Sequence, residues 1–275
     1  KELTVSAFCS IPLIASGRLL GLLNAFSFNL GHAFREGQRK MLSVICDRTA
    51  VSLENARLYE KVMNSNSELE ALNLSLEENF RQTIVGFANA LEESDHYTRG
   101  HSERVSIYAR LIAEGMGLDR PLVERVVFSA RIHDIGKIGI PTEKLNKVGK
   151  LTSEEMELLR SHPVKGKRIL DPVPFLRDLV PGAYSHHERY DGKGYPLGLA
   201  GENIPLLGRI IAVADAYDAM TTDRAYRRAL TQREAMRELL ACAGSQFDEN
   251  IVNIFVNELR QKRAQTEEEV HLFAI

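Results

Sequence analysis

The dipeptide His133-Asp134 closes an apolar stripe of helical spacing, Val123, Val126, Val127 and Ala130, so two polar side chains fall at the end of a face that should be buried. They need partners there. His101 lies upstream, and His162, the pair His186-His187 and Asp215 lie downstream. Neutral imidazoles and carboxylates are donors that divalent first-row ions accept, and one carboxylate can bridge two ions while offsetting part of their charge. The set is what two-metal activation of water at a phosphate centre requires, with Asp134 as the natural bridge. Gly136 is read as a break after the dipeptide and Ile138-Gly139-Ile140-Pro141 as the exit. That leaves His133 and Asp134 at a helix C-terminus facing a cavity.

The other candidates are weaker taken singly. His101 stands at the start of its helix, where a capping role is the alternative. His162 precedes Pro163, which pushes it out of helical conformation toward a helix boundary. Consecutive helical side chains diverge by about 100°, so His186 and His187 can share an ion only at a helix end or bend. Asp215 and Asp218, three apart, share a helix face. Arg224 and Arg227, also three apart, could present two guanidinium groups to phosphate oxygens, or form a solvated cationic face. In Gly192-Lys193-Gly194-Tyr195-Pro196 two glycines and a proline give an irregular turn. It reads as a rim loop in which Tyr195 either touches a ligand or packs.

Three longer strings carry a family resemblance: His133-Asp134-Ile135-Gly136-Lys137-Ile138-Gly139-Ile140-Pro141, then His186-His187-Glu188-Arg189-Tyr190-Asp191-Gly192-Lys193-Gly194-Tyr195-Pro196, then Asp215-Ala216-Tyr217-Asp218-Ala219-Met220. Together they resemble the HD-GYP family, bacterial phosphodiesterases that open cyclic di-GMP, over residues from about Phe80 to about Leu259. The resemblance implies one ion on His101, His133, Asp134 and Asp215, and a second on Asp134, His162, His186 and His187. Asp218 would orient a ligand or a metal-bound water. Lys137 would lie beside the scissile phosphate as a catalytic cation, and Arg224 and Arg227 would bind substrate. Some members hold a third metal through a glutamate four residues before the first histidine. Tyr97 stands there, and Glu92 and Glu93 are too far upstream to match, so two ions are expected, iron or manganese. The product would be pGpG, with onward hydrolysis to GMP left open, and the rim loop allows docking to diguanylate cyclase domains. A site for another cyclic nucleotide, or a non-catalytic cyclic-dinucleotide receptor, are the alternatives.

Composition agrees with this reading. Thirty-five basic and 37 acidic residues nearly cancel, so no global basic field exists to hold long nucleic acid. The three cysteines, Cys9, Cys46 and Cys242, are far apart in apolar settings, which suits reduced thiols of a cytoplasmic protein and offers no zinc-type pair. No apolar run reaches membrane-spanning length, and the start Lys1-Glu2-Leu3 lacks a signal-peptide pattern. A soluble chain is expected, although a longer parent could carry membrane segments.

The elements that must position these groups are mainly helical. Apolar spacing predicts helices over Phe80–Leu91, His101–Gly115, Leu122–Asp134, Ser153–Ser161, Pro174–Glu188, Leu207–Met220, Gln232–Cys242 and Asn250–Gln261, with no strand pattern among them. Before them, Phe8–Ile14 and Leu19–Phe28 read as strands about a Ser16-Gly17 turn, followed by a helix from Glu36 to about Tyr59. Ser10-Ile11-Pro12-Leu13, Gly17 to Asn24, and Glu54-Asn55-Ala56-Arg57-Leu58-Tyr59 resemble the C-terminal part of a GAF sensor domain. Two strands and a helix cannot enclose a ligand pocket, so this part is assigned to packing or dimer contacts. Leu58, Val62, Leu69, Leu72 and Leu76 recur at spacings of three and four, interrupted by Ser65, either as a parallel coiled coil across a homodimer or as one amphipathic helix packed on its own domain. The fold expected is mainly α: a partial α/β GAF-like segment (1–57), a helical linker (58–79), an all-helical HD-type phosphohydrolase bundle (80–262) and a charged tail (263–275).

Overall fold

The computed structural model describes residues 4–29, 33–94, 100–147, 149–223 and 228–272. Tyr97, Arg224 and Arg227 lie outside the described residues. The chain divides into two compact units, Lys1–Leu76 and Glu77–Ile275.

In the first unit, strands β1 (Ala7–Ala15) and β2 (Arg18–Ser27) form an antiparallel hairpin with Phe8 opposite Phe26. Ser16 and Gly17 turn it with positive φ angles of 51° and 75°, as a two-residue hairpin loop requires. Helix α1 runs unbroken from Glu36 to Ser94. The sequence predicts separate helical segments here, but no proline falls within the span to stop the first of them. Cys9, Cys46 and Cys242 are free thiols, with Cys46 buried.

The second unit is helical. The predicted helices appear as α2 (His101–Gly115), α3 (Arg120–Ile132), α5 (Ser153–Arg160), α8 (Leu206–Thr221), α9 (Gln232–Ala241) and α10 (Glu249–Leu272). Two short helices, α4 (Thr142–Leu145) and α6 (His162–Leu170), were not expected from the spacing. Local chemistry sets several starts: Asp119 accepts a hydrogen bond from the Leu122 amide ahead of α3, and Thr152 with Glu155 and Thr231 with Glu234 form capping boxes for α5 and α9. One core joins α2, α3, α8, α9 and α10 through Val105, Ile112, Val126, Ile211, Leu239 and Phe255. A smaller cluster gathers Ile132, Ile135, Leu170, Leu176 and Ala183. Helix α3 contributes to both, so its C-terminus is fixed from two sides.

Three local readings are corrected. Pro174–Glu188 is not one helix: a 3-10 turn over Pro174–Leu179 leads into α7 (Val180–Ser185), because Pro181 has no amide to carry an earlier helix through. His162 is the first residue of α6 rather than outside a helix, and Pro163 sits where a missing amide costs nothing. Gly136 does not end the chain's helical course, since residues Ile135–Gly139 continue as a 3-10 turn. Its role is close approach: a Cβ there would lie 2.0 Å from the His162 carbonyl oxygen and 2.5 Å from the Gly166 amide nitrogen.

Among the described residues no helix is long and apolar enough to cross a membrane.

Candidate metal centre

Three helix ends converge, and each carries a histidine. His133 follows α3, His162 follows α5 and opens α6, and His186 follows α7. In each case Nδ1–H donates to the carbonyl oxygen three residues back: Ala130 at 2.7 Å, Leu159 at 2.8 Å and Ala183 at 2.9 Å. These bonds satisfy carbonyls that a helix C-terminus leaves without partners. They also fix each ring with Nε2, the remaining donor atom, turned inward.

Those inward atoms meet around Asp134. Asp134 Oδ2 lies 3.4 Å from His133 Nε2 and 3.8 Å from His101 Nε2, while Oδ1 lies 3.3 Å from His162 Nε2 and 4.0 Å from His186 Nε2. Its two oxygens therefore face two different sets of imidazoles. Asp215 Oδ1 is 3.4 Å from His101 Nε2. His187 stands beside His186, ring centroids 4.1 Å apart, because the helix ends at Ser185 and the pair is released from strict helical divergence. All seven candidate ligands gather, in the groups His162-His186-His187, His101-His133-Asp215 and His133-Asp134-His186.

The donor chemistry fits a cation. His162 Nε2 and His186 Nε2 are 3.2 Å apart, yet both rings spend their N–H on a carbonyl, so in the neutral state two lone pairs face one another. His133 Nε2 is buried with no hydrogen-bond partner among the described residues. Positive charge placed among these nitrogens would satisfy them all. Protonation states point the same way. Burial pushes His186 well below the usual imidazole value, aided by His187, His133 and His162, and burial lowers His162 and brings His187 down to about 4. Neutral imidazole is the form that ligates. Burial opposes charge on Asp134, but Lys137 and the surrounding histidines outweigh it and hold its carboxyl well below the usual range.

His101 is held differently. Its Nδ1–H donates to Asp218 Oδ2 at 2.7 Å, and Asp218 in turn accepts from Arg104 Nε at 2.6 Å and from the Arg104 terminal nitrogen at 3.1 Å. Burial tends to lower His101, but the Asp218 bond with the Asp215 and Asp134 charges carries it upward. Asp218 is thus bonded to a candidate ligand, while Asp215, three residues earlier on α8, faces His101 Nε2. Arg104 escaped the sequence reading; its only signal was its place one turn after His101 on α2.

A cleft of about 890 Å³ opens beside the cluster, with Lys137, Asp215 and Tyr195 among its walls. Lys137 Nζ is 2.5 Å from Asp134 Oδ2. Tyr195 stacks on His187 with centroids 4.8 Å apart, and the Arg160 guanidinium carbon lies 5.4 Å from the Tyr195 ring centroid. The rim loop is anchored by Glu188, a buried carboxylate that accepts from the Leu197 and Leu199 amides at 2.6 and 3.0 Å. Glu188 stands in the second of the strings that carry the resemblance but was given no role there, since its partners lie nine and eleven residues away in irregular chain. Glu92, set aside as too far upstream, accepts from the Ser102 amide at 2.6 Å and lines a narrow crevice with His101, Asp134 and Lys137.

The chain is 40% identical over 217 residues to the cyclic di-GMP phosphodiesterase response regulator RpfG of Xanthomonas campestris pv. campestris, covering 78% of this chain and 56% of that protein. It is 41% identical over 182 residues to the cyclic di-GMP phosphodiesterase of Thermotoga maritima, covering 65% of this chain and 50% of that one. The chain spans about half the length of the curated relatives it matches. Among solved structures, a cyclic GMP-AMP specific phosphodiesterase of Vibrio cholerae, V-cGAP3, shares the fold with a TM-score of 0.52 at 19% identity, covering 66% of this chain and 49% of that one. A family model described as the HD domain matches residues 87–251, more than half of the chain, and the chain belongs to the HD domain family.

Proposed function

We propose that this chain is a phosphodiesterase of the HD-GYP type that hydrolyses cyclic di-GMP to linear pGpG with two divalent transition-metal ions, iron or manganese. The observation that carries the reading is Asp134, whose two carboxylate oxygens face two separate groups of inward-turned imidazole nitrogens. One ion would sit on His101, His133, Asp134 and Asp215, and the other on Asp134, His162, His186 and His187. When bound, such a pair supplies an acidified water and positive charge for the phosphoryl oxygens.

The chain's own groups do the rest. The three helix-end carbonyls and Asp218 hold the imidazoles in their donating orientation. Lys137, beside Asp134 at the cleft wall, offers N–H donors to the phosphate and a proton to the departing 3′-oxygen. Arg224 and Arg227 bind the phosphates, and Tyr195 stands at the rim. The cleft volume suits a ligand of dinucleotide size. The names borne by the relatives at 40% and 41% identity support the choice of substrate. The hairpin and the start of α1 fit the closing part of a GAF-like domain, and the unpaired thiols suit a reducing, cytoplasmic setting.

The test is incubation of metal-reconstituted chain with cyclic di-GMP, with products resolved by chromatography. Formation of pGpG is expected. Binding without turnover would support a receptor instead, and turnover of a mixed guanine–adenine ring but not of cyclic di-GMP would reassign the substrate.

A further inference from the structure

Within the first unit, helix α1 carries an apolar seam at heptad spacing. Counting Met41 as position a, the a and d positions through Leu76 are Met41, Val44, Arg48, Val51, Asn55, Leu58, Val62, Ser65, Leu69, Leu72 and Leu76. All eight apolar members are more than half exposed, from 52% at Leu58 to 66% at Leu72. The buried residues of this stretch, Cys46 and Ala50, occupy other positions of the repeat, so the seam is not the face turned to the unit's own interior. Ile45, Leu53, Tyr59, Met63 and Leu74 are exposed off the seam, scattered over other positions of the repeat.

A seven-residue period differs from the 3.6-residue turn of a straight helix, and it stays on one face only if the helix supercoils around another. The repeat lasts five heptads, more than the three or four that mark a coiled coil. Residues 41–76 span about 50 Å at the helical rise. Burying each of these side chains removes on the order of 100 Å² of apolar surface. Eight from each of two helices reach the roughly 1,200–2,000 Å² of a stable interface.

We infer that α1 pairs with α1 of a second copy of this chain in a parallel, in-register two-stranded coiled coil over residues 41–76. Parallel pairing sets every a and d residue against its own counterpart, so Asn55 meets Asn55, Ser65 meets Ser65 and Arg48 meets Arg48, whose long stems carry the two guanidinium groups out to solvent, while every apolar layer meets an apolar layer. An asparagine at an a position is a device that favours two strands in register. An antiparallel pairing that set Asn55 against Ser65 would lay Arg48 on Leu72 and Met41 on Asn79.

The test uses the full chain. Light scattering coupled to size exclusion should give a dimer at micromolar concentration, and the double variant Leu69→Glu/Leu72→Glu should be monomeric with unchanged metal content. Under mild oxidation Val62→Cys should cross-link nearly completely to a disulfide dimer while Met63→Cys, one position off the seam, should not. A monomeric wild type overturns the inference. So does equal cross-linking at both positions, or efficient coupling of Leu58→Cys with Val62→Cys in mixed samples, which would mark antiparallel pairing.

Discussion

The two sides of the candidate metal cluster are built by different means. On one side, His162 and His186 are oriented by main-chain carbonyls at helix ends, so the fold itself supplies their partners. On the other, His101 is oriented by a side chain, Asp218, which is itself held by Arg104. His133 joins the carbonyl-held group in its support, although it is grouped with His101 and Asp215 as a candidate ligand. A ligand held by the backbone cannot lose its support through a substitution at the supporting residue, because every residue has a carbonyl. A ligand held by a carboxylate can. The orientation of His101 is therefore open to single side-chain substitutions at its support, whereas that of His162 and His186 yields to a change in backbone packing.

The largest effect should come from removing what the two sides share. Asp134→Ala leaves neither set with its common carboxylate, and activity should fall by roughly a thousandfold or more, since such a centre supplies several kcal/mol of transition-state stabilisation. Elemental analysis should show most metal gone with the helical circular dichroism retained. Full metal content and activity would mean that another group bridges.

Next comes the backbone-held side. Gly136→Ala places a Cβ against the His162 carbonyl and the Gly166 amide, neither of which can swing away as a flexible side chain could. The cost should be about 3 kcal/mol of stability, at the upper end for overpacking. Thermal unfolding would read it, and an unchanged Tm would show that α6 is free to shift outward. The side-chain-held half should respond without unfolding. Asp218→Ala should weaken metal binding by about 10–100-fold, the usual cost of losing a partner of a ligating histidine, as measured by chelator competition. Equal metal affinity for wild type and variant would remove Asp218 from the support of the site.

The smallest change is expected for Arg104→Ala, which keeps the His101–Asp218 bond and loosens only its anchor. A loss within about tenfold is expected. The double variant with Asp218→Ala should be no worse than Asp218→Ala alone, because the two act through one chain of contacts. Strictly additive losses would instead give Arg104 a separate role.

How much of this was legible beforehand differs by residue. Apolar spacing located α2 over His101–Gly115, and Val123, Val126, Val127 and Ala130 led to the end of α3, because a buried helical face leaves a period that sequence displays. The requirement at His186-His187 for a helix end was likewise readable from geometry, and α7 ends at Ser185. The division of Pro174–Ser185 was missed although Pro181 stood in view, since apolar spacing alone does not separate a 3-10 turn from an α-helix. Helix α6 was missed because the residue before a proline is expected to be extended, and packing against Gly136 overrode that preference.

The amino-acid sequence by itself determined the candidate ligand types, the placing of several of the histidines near helix ends and the apolar spacing from Leu58 to Leu76, because donor chemistry and helical period are properties of residues and their local spacing. Only the tertiary structure decided which nitrogen of each histidine turns inward, that Asp134 shows one oxygen to each set, and that Arg104 and Glu188 anchor the site and its rim. Those facts depend on contacts between groups far apart in the chain, such as Arg104 with Asp218 and Gly136 with His162. No local pattern encodes a contact whose two halves meet only when the helices pack.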